Sequence, residues 1–380
     1  MGKVRLFNPE NDIMLQWPAS QTFSTAHTLG AQVEALRRSG AMLPVWLADA
    51  GDTVVVPEQE RDACARWLEK TARFFPSLSG IAIASGGEAR GEGAPWGWSG
   101  DAARRLTMAG AECPDTDALE RMRMLSHRRM SIAILRRLAD MGTVPVPYLP
   151  LEVCCEDELR GSILPGRSYY MKSPWSSSGR GVVKFDGLTR KIVERGVGVI
   201  RRQGSVMIEP AMDGVQDFAM LFHVDGGRAR WMGYSLFFNS HAGYAGNLLC
   251  DDDAIEDRLV GLGADRGSLH VLRSALESVL SEVVGNAYRG WLGIDMLLTR
   301  DGTIAPCIEL NLRMTMGVVA HYLAERIAAP GVEAIYTVGP SRQTAHINES
   351  PAIEAGRLVA GEMMLTPPGA FEFRVAVGQR

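Results

Sequence analysis

Short apolar runs alternate with stretches of helical period along the first third of the chain. The runs at residues 4–7, 43–47, 53–56 and 81–84 predict buried strands. The 3.6-residue period at residues 25–38 and 58–74 predicts helices between them, and Gly40 is placed to end the first. Strands that alternate with helices indicate a doubly wound, mostly parallel sheet.

A glycine-rich stretch, residues 85–100, follows the last of these strands. Its glycines do not have the G-x-G-x-x-G spacing of a dinucleotide-binding loop, which argues against a dehydrogenase. The stretch therefore predicts a surface loop at the edge of the sheet where ligands bind in such folds. Trp96 and Trp98 lie in it, either as packing residues or as substrate contacts.

Two helices and a proline-rich connection are predicted in the middle of the chain. Asp117 and Glu120 have the spacing of a capping box that opens a short helix, and Ser126 is the expected N-cap of a second helix that Gly142 ends. Three prolines then hold residues 143–151 in an extended conformation. Such a segment is a natural junction between domains.

A lysine-bearing strand followed by a loop of small residues is the first candidate for a phosphate site. Lys172 ends the predicted strand at residues 167–173, and residues 182–185 predict the returning strand. The loop between them would bring backbone N–H groups and the lysine charge to the same phosphates. The alternative is a flexible hairpin with an exposed lysine. The candidate loop residues are Ser176, Ser177, Ser178, Gly179 and Gly181.

A second strand, residues 205–209, ends in Glu209 and is followed by Pro210. The connection to the next strand, residues 217–224, offers groups that suit an adenine edge. Pro210 keeps a carbonyl acceptor and Met212 keeps an N–H donor. Asp217, or the adjacent Gln216, is placed to accept hydrogen bonds from ribose hydroxyls.

A hairpin near the C-terminus carries oxygen donors. Residues 292–299 and 303–310 predict strands joined by a tight turn at residues 300–302. Asp295 lies in the first strand, while Glu309 and Asn311 share one face at the end of the second. Three such donors followed by Arg313 suit a hard divalent cation and the phosphates it bridges. The alternative is a solvated hairpin.

Composition excludes several classes of protein. The 380 residues are enough for two or three domains, and a formal charge of −4 without a long basic run argues against a nucleic-acid partner. No signal core and no apolar stretch of membrane-spanning length are present, so no membrane partner is expected. Six cysteines without a CxxC spacing predict reduced thiols in a cytoplasmic protein. A strained disulfide between Cys154 and Cys155 is the alternative.

These motifs, in this order, resemble the ATP-grasp superfamily over about residues 115–330. The resemblance implies an α/β then α+β fold class, in which a doubly wound parallel-sheet domain (residues 1–114) precedes a two-subdomain ATP-grasp fold (residues 115–202 and 203–380). It implies ATP and one or two Mg²⁺ ions as cofactors, with Mn²⁺ as a substitute. By this resemblance, Arg128, Lys172 and the Ser/Gly loop would contact the phosphates, Glu209 and Met212 would contact adenine, and Asp217 would contact ribose. Asp295, Glu309 and Asn311 would bind magnesium, and Arg313 would contact the transferred phosphoryl group.

The implied activity is a ligase that joins a small-molecule or peptide carboxylate to an amine through an acyl phosphate. Phosphotransfer on the same fold and a catalytically degenerate nucleotide-binding module are the alternatives. Two departures from the family pattern stand out in the sequence. Many relatives have a lysine where this chain has Ser126, His127 and Arg128, and Leu312 replaces a usual proline. Arg128 is the preferred replacement because its charge is permanent, with His127, or no second cation at all, as the alternatives.

Two groups of polar residues are candidates for recognising the acceptor substrate. His241, Tyr244 and Asn247 lie among glycines and predict a loop over the site, with a solvated loop as the alternative. Asn8, Glu10, Asn11 and Asp12 follow the first strand at the edge of the N-terminal sheet. Turn formation is their alternative role. The sequence leaves the oligomeric state open, and a homodimer is one of the states it allows.

Overall fold

The computed structural model describes residues 2–21, 30–176, 181–240, 243–341 and 350–378. Within those ranges, no helix is long and apolar enough to cross a membrane. The helices are α1 (Asn11–Met14), α2 (Ala31–Ser39), α3 (Arg61–Ala72), α4 (Gly100–Ala109), α5 (Thr116–Leu125), α6 (Arg129–Met141), α7 (Glu156–Gly161), α8 (Arg190–Gln203), α9 (Asp252–Gly261), α10 (Arg266–Val283) and α11 (Met316–Arg326).

The strands of the described chain group into three larger sheets and one small hairpin. They are β1 (Lys3–Leu6), β2 (Thr53–Val55), β3 (Ala82–Ala84), β4 (Glu92–Pro95), β5 (Leu151–Val153), β6 (Tyr169–Lys172), β7 (Val182–Phe185), β8 (Val206–Pro210), β9 (Gly214–Asp225), β10 (Arg228–Ser240), β11 (Gly243–Leu249), β12 (Gly290–Thr299), β13 (Ile304–Asn311), β14 (Ala334–Pro340), β15 (Ala352–Glu354), β16 (Arg357–Ala360), β17 (Glu362–Met364) and β18 (Phe371–Val377).

The N-terminal sheet is parallel, with the order β3-β2-β1-β4, and this confirms the predicted doubly wound domain. The chain moves outward from β1 to β2 and β3, then returns to the other side of β1 as β4. The strand order therefore reverses between β1 and β4, and α/β sheets bind ligands at such a point, beyond the carboxyl ends of the strands.

Two local predictions for this domain are wrong. Leu43–Leu47 is a buried 3₁₀ helix rather than a strand, since Pro44 cannot donate to a strand ladder and a short apolar run does not distinguish strand from helix. The glycine-rich stretch contains β4 rather than only a loop. A Cβ on Gly93 would lie 3.0 Å from the Trp98 ring and 3.1 Å from the Glu112 carbonyl oxygen, so close packing requires a residue type that is rare in strands.

The helix boundaries in the middle of the chain differ from the predicted capping. Asp115, not Asp117, is the N-cap of α5, and its side chain accepts from the N–H of Ala118. Ser126 ends α5 instead of beginning the next helix, and Arg128 is the residue before α6. Gly142 ends α6 in a left-handed conformation, as predicted. The predicted domain boundaries, just before α5 and at the end of α8, stay predictions.

A four-stranded antiparallel sheet, ordered β5-β8-β6-β7, follows the proline-rich segment. One of its faces is apolar, and Met171 and Ile208 on that face share a core with Leu159 of α7 and Val199 of α8. Because strand residues alternate between faces, Lys172 and Glu209 lie on the opposite face. The apolar packing thus determines which way the site residues point.

The largest sheet in the described chain has the order β13-β12-β9-β10-β11-β14-β18-β17. The apolar face of β9 and β12, including Phe222 and Ile294, packs with Leu276 of α10 and Leu135 of α6. The alternate residues of the same strands face the other way, toward the four-stranded sheet. All six cysteines are free thiols, as predicted.

The C-terminal strands share a core with the N-terminal domain. Phe7, directly after β1, makes edge contacts with Trp96 (5.1 Å between ring centroids) and with Phe373 of β18 (5.9 Å). Trp46 donates its ring N–H to the carbonyl of Leu365 (2.7 Å). These contacts fix the carboxyl end of β1 relative to the large sheet.

We expect Phe373→Ala to lower the free energy of unfolding by about 3–5 kcal/mol, because it removes a buried aromatic ring and leaves a cavity. Phe373 is 0% exposed, whereas Phe74 is 53% exposed, so Phe74→Ala is the control and should change stability by less than about 1 kcal/mol. Urea unfolding of both variants measures the difference. Equal effects would contradict the shared core.

Candidate active site

The polar face of the large sheet carries the predicted metal ligands. In the register of β12 against β13, Asp295 lies opposite Glu309, and Gly293 lies opposite Asn311. Residues opposite each other in an antiparallel pair point to the same face, so the two carboxylates and the amide lie side by side. Gly293 has no side chain to fill the space next to Asn311.

Hydrogen bonds fix the orientation of the Asn311 amide. Its Nδ2 donates to Oδ2 of Asp295 (2.9 Å), and its Oδ1 accepts from a terminal nitrogen of Arg313 (2.8 Å). A carbonyl oxygen has two lone pairs, so Oδ1 keeps acceptor capacity for a cation. Three of the predicted residues thus form one connected group.

Burial and the neighbouring Glu309 carboxylate raise the pKa of Asp295 to about 7. Like charges directly across a strand pair destabilise a sheet, and a bound cation would remove that cost. No group of three or more His, Cys, Asp or Glu side chains suited to a metal occurs in the described part of the chain. The two carboxylates and the amide oxygen fit Mg²⁺, because hard cations take oxygen ligands and magnesium keeps several waters.

Arg128 joins the metal-ligand strand to the small-residue loop. One terminal nitrogen donates to Oε1 of Glu309 (2.7 Å), and the other to the carbonyl of Ser173 (2.6 Å) and Oγ of Ser176 (2.6 Å). The Nε of Arg128 is buried without a hydrogen-bond partner. Arg128 therefore lies where its charge can reach both Glu309, a metal-ligand candidate, and the first residue of the small-residue loop.

His127, the other option for the missing lysine, faces a different neighbourhood. Its ring makes an edge contact with Trp175 (4.6 Å between centroids), and its Nδ1 accepts from the N–H of Arg129 (2.9 Å). Burial and the charges of neighbouring arginines, first of them Arg129, lower its pKa to about 3. His127 is therefore neutral at physiological pH, which favours Arg128 as the cation.

Lys172 and Glu209 form a buried ion pair. The Nζ of Lys172 lies 2.5 Å from Oε2 of Glu209, and the two side chains are only 7% and 4% exposed. Burial raises the pKa of Glu209, and the Lys172 charge opposes that rise. The carboxylate that the resemblance assigns to adenine thus holds the lysine.

The start and the end of the small-residue loop are described, at Ser176 and Gly181. The Ser173 N–H donates to the carbonyl of Gly181 (2.9 Å), which closes the loop at its base. Gly181 has a φ of +83°, and a Cβ there would lie 2.8 Å from Oγ of Ser173, so glycine is required. Ser177, Ser178 and Gly179 lie outside the described residues.

Met212 and Asp217 lie beside the connection between β8 and β9. Met212 is half-buried, and its carbonyl accepts from the N–H of Gly214 (3.1 Å). Asp217 accepts from Nδ2 of Asn239 (2.9 Å), and burial raises its pKa. Gln216 donates to the carbonyls of Asp217 and Phe237, which favours Asp217 over Gln216 for ribose. No sequence pattern indicated that Asn239 would be a partner of Asp217.

The first group of acceptor candidates does not form the predicted loop. Tyr244 and Asn247 lie in β11, where the tyrosine Oη donates to Oδ1 of Asn247 (2.6 Å). Asn247 is 0% exposed and donates to Oγ of Ser235 (2.7 Å). The contact with Ser235 joins β11 to β10, and the tyrosine contact orients the Asn247 amide within β11. His241 lies outside the described residues.

The second group, after β1, reaches the site through one residue. Asn8 donates to the carbonyl of Gly97 (2.8 Å) and holds the β1 and β4 loops together. Glu10 is buried against Arg105 (3.0 Å) and Arg37 (3.5 Å). Asp12 forms an ion pair with Arg313 (2.7 Å). Asp12 therefore contacts the candidate site through Arg313, a partner that the sequence did not indicate.

Carboxylates outnumber cations among the charged cleft residues that the structure describes. In that described set, five carboxylates face three cations, so the group is negative when all are ionised and favours a divalent cation. The residues are Asp12, Glu209, Asp217, Asp295 and Glu309 with Arg128, Lys172 and Arg313.

Asp295→Asn should change how stability depends on pH in metal-free buffer. The folded-state pKa of about 7 lies above the unfolded value of about 4. The stability contributed by the neutral carboxyl is therefore complete below about pH 4 and is lost as the pH rises to about 7. Between those values, we expect the variant to gain on the order of 2–4 kcal/mol relative to the unmodified protein, measured by urea unfolding. A difference independent of pH would contradict the assignment.

Comparison with known proteins identified solved structures with the same fold but no protein of similar sequence. No family model matches the chain, and neither does any curated protein. Biotin carboxylase from Campylobacter jejuni is 12% identical with a TM-score of 0.52, over 99% of this chain and 87% of that one. N5-carboxyaminoimidazole ribonucleotide synthetase from Thermus thermophilus is 15% identical with a TM-score of 0.50, over 99% and 93%. Both are ATP-grasp proteins, and this chain has the ATP-grasp fold.

Proposed function

We propose that this protein is an ATP- and Mg²⁺-dependent ligase that joins a carboxylate to an amine through an acyl phosphate. The observation that carries the proposal is the opposed pair Asp295 and Glu309, with Asn311 beside it, on the sheet face toward Lys172 and Arg128. A ligand with phosphates and a divalent cation matches this distribution of charge. The C. jejuni biotin carboxylase, which has this fold, was solved as a β,γ-ATP complex.

The nucleotide would lie between the four-stranded sheet and the large sheet. Lys172 and Arg128 are the cations for its phosphates, with the backbone N–H groups of the loop that Gly181 ends. Lys172 reaches the phosphates by giving up part of its contact with Glu209, and Arg128 by giving up Glu309. Met212 and Asp217 are the groups for adenine and ribose.

The chemistry requires positioning and charge neutralisation rather than a protein nucleophile. Bound magnesium, held by Asp295, Glu309 and Asn311, would neutralise the charge that develops on the phosphates. A substrate carboxylate oxygen attacks the γ-phosphorus, and ADP leaves. The amine nitrogen then attacks the acyl carbon, phosphate leaves, and the amine loses a proton. Arg313 stabilises charge on the transferred phosphoryl group.

The direct test is ADP release measured with pools of amines and of carboxylates, including peptides, alone and together. A ligase releases ADP with a carboxylate and amine together and forms an amide that mass spectrometry detects. ADP release with one co-substrate and a phosphorylated product would identify a phosphotransferase instead. Binding of ATP without turnover in any pool would identify a nucleotide-binding module.

Glu309→Gln should abolish the magnesium-dependent part of thermal stabilisation by ATP. The unmodified protein should gain about 2.7 kcal/mol with Mg²⁺-ATP at about 100 times its Kd, and the variant loses an anionic ligand. Glu277→Gln is the control, because Glu277 accepts a hydrogen bond from the N–H of Trp231 on the opposite side of the sheet. Equal magnesium dependence in the Glu309 variant and the unmodified protein would contradict the metal assignment.

Lys172→Ala should weaken ATP binding about tenfold or more, since a hydrogen bond to a charged group contributes about 1.5–3 kcal/mol. The variant also leaves Glu209 buried and unpaired, which lowers stability. Adding Glu209→Gln should restore stability but not ATP affinity, as measured by urea unfolding and calorimetry.

Lys191→Ala is the matched control, because Lys191 is exposed on α8, which packs against the opposite, apolar face of the same sheet. ATP affinity that stays unchanged in the Lys172 variant would contradict the phosphate role.

A further inference from the structure

The turn after β1 contacts the strand that carries the metal-ligand candidates. Asp12 lies in the short helix α1, at the carboxyl end of β1. Two contacts join this end of the N-terminal sheet to the segment after β13. One is the ion pair of Asp12 with Arg313, and the other is the hydrogen bond from the N–H of Met314 to the carbonyl of Trp96 (2.8 Å).

The ion pair has the two-pronged geometry that restrains an arginine most strongly. The Nε of Arg313 donates to both oxygens of Asp12 (2.8 and 2.9 Å), and a terminal nitrogen lies 2.7 Å from Oδ2. The other terminal nitrogen donates to the carbonyl of Met314 (3.1 Å). The side chains of Arg313 and Asp12 are 17% and 15% exposed, so solvent screens the pair little.

The same guanidinium connects Asp12 to the metal-ligand candidates. The terminal nitrogen of Arg313 that faces Asp12 also donates to Oδ1 of Asn311, whose Nδ2 donates to Asp295. A continuous chain of hydrogen bonds thus joins four side chains, those of Asp12, Arg313, Asn311 and Asp295. Because Arg313 donates to Oδ1 and Asp295 accepts from Nδ2, the Asn311 amide has only one favourable orientation. The reverse orientation would place its N–H groups against Arg313 and its oxygen against the Asp295 carboxylate.

We propose that Asp12 is a positioning residue for the metal site: through Arg313 it fixes the orientation of the Asn311 amide and so sets the affinity of the site for Mg²⁺. This inference rests on the proposed function. Asp12 acts from outside the ligand set, in the way that hydrogen-bond partners of metal ligands commonly tune metal affinity by 10–100-fold. Both oxygens of Asp12 accept from Arg313, which favours this role over the hypothesis that Asp12 recognises an amine.

Through Asp12, the N-terminal domain takes part in the proposed site. Asp12 lies beside the point where the strand order of the parallel sheet reverses, and ligands bind such sheets there. The hydrogen-bond chain therefore connects that edge of the N-terminal sheet directly to the catalytic cleft. The N-terminal domain contributes a residue on which the metal site depends.

Asp12→Asn tests the proposal because it removes the charge and replaces one acceptor oxygen with a donor at nearly constant volume. The measurement is the Mg²⁺ concentration that gives half of the ATP-dependent thermal stabilisation, in the full-length protein at saturating ATP. We expect this concentration to rise about tenfold or more, while the affinity for ATP without magnesium changes less than twofold. Asp12→Glu, which keeps a carboxylate, should recover part of the magnesium affinity.

Asp52→Asn is the matched control. Asp52 forms a buried pair with Arg5 (2.7 Å) and accepts from the N–H of Lys3, so it lies at the amino end of β1, away from Asp12. The Asp52→Asn substitution should lower the melting temperature without changing the half-saturating Mg²⁺ concentration. This difference separates a role in positioning the metal site from a general loss of stability. The same rise in both variants, or no rise in Asp12→Asn, overturns the proposal while leaving the ligase function intact. A wild-type protein without magnesium-dependent stabilisation overturns both.

Discussion

Two carboxylates held directly opposite each other on one face of an antiparallel sheet are the constraint on which the site depends. Asp295 and Glu309 repel each other, and the surrounding groups reduce that cost. Asn311 donates to Asp295, Arg128 pairs with Glu309, and burial keeps the pKa of Asp295 near neutrality. Without a ligand, protein cations and a retained proton offset this repulsion. We infer that a bound divalent cation takes over that role and releases Arg128 toward phosphate.

Apolar packing accounts for the position of the cleft. The apolar faces of both antiparallel sheets pack on their own helices, which leaves the polar faces to form the cleft between them. Arg128 bridges the two faces, and the ion pair of Asp12 with Arg313 joins the N-terminal domain to the large sheet. Aromatic contacts at Phe7 and Phe373 hold that domain in place. The interdomain core and the proposed magnesium site therefore both contact the segment that follows β1.

Much of the fold and the strand positions of the candidate residues could be predicted from the sequence. The hairpin with Asp295 and Glu309 follows from alternation and a tight turn, and the lysine strand follows from its flanking loop. Local patterns failed where packing overrides propensity, as in the 3₁₀ helix at Leu43–Leu47 and in β4. Partners distant in sequence, such as Asp12 with Arg313, could not be predicted because no local period records them. The roles assigned to adenine and ribose contacts stay predictions.

The most direct test of the central claim is electron paramagnetic resonance of Mn²⁺ titrated onto the protein with and without ATP. Manganese suits the oxygen ligands that magnesium prefers, and its signal reports free and bound ion separately. The account predicts that ATP increases Mn²⁺ binding in the unmodified protein and that the increase is lost when both Asp295→Asn and Glu309→Gln are introduced. Binding that is independent of ATP, or unchanged in the double variant, would contradict it.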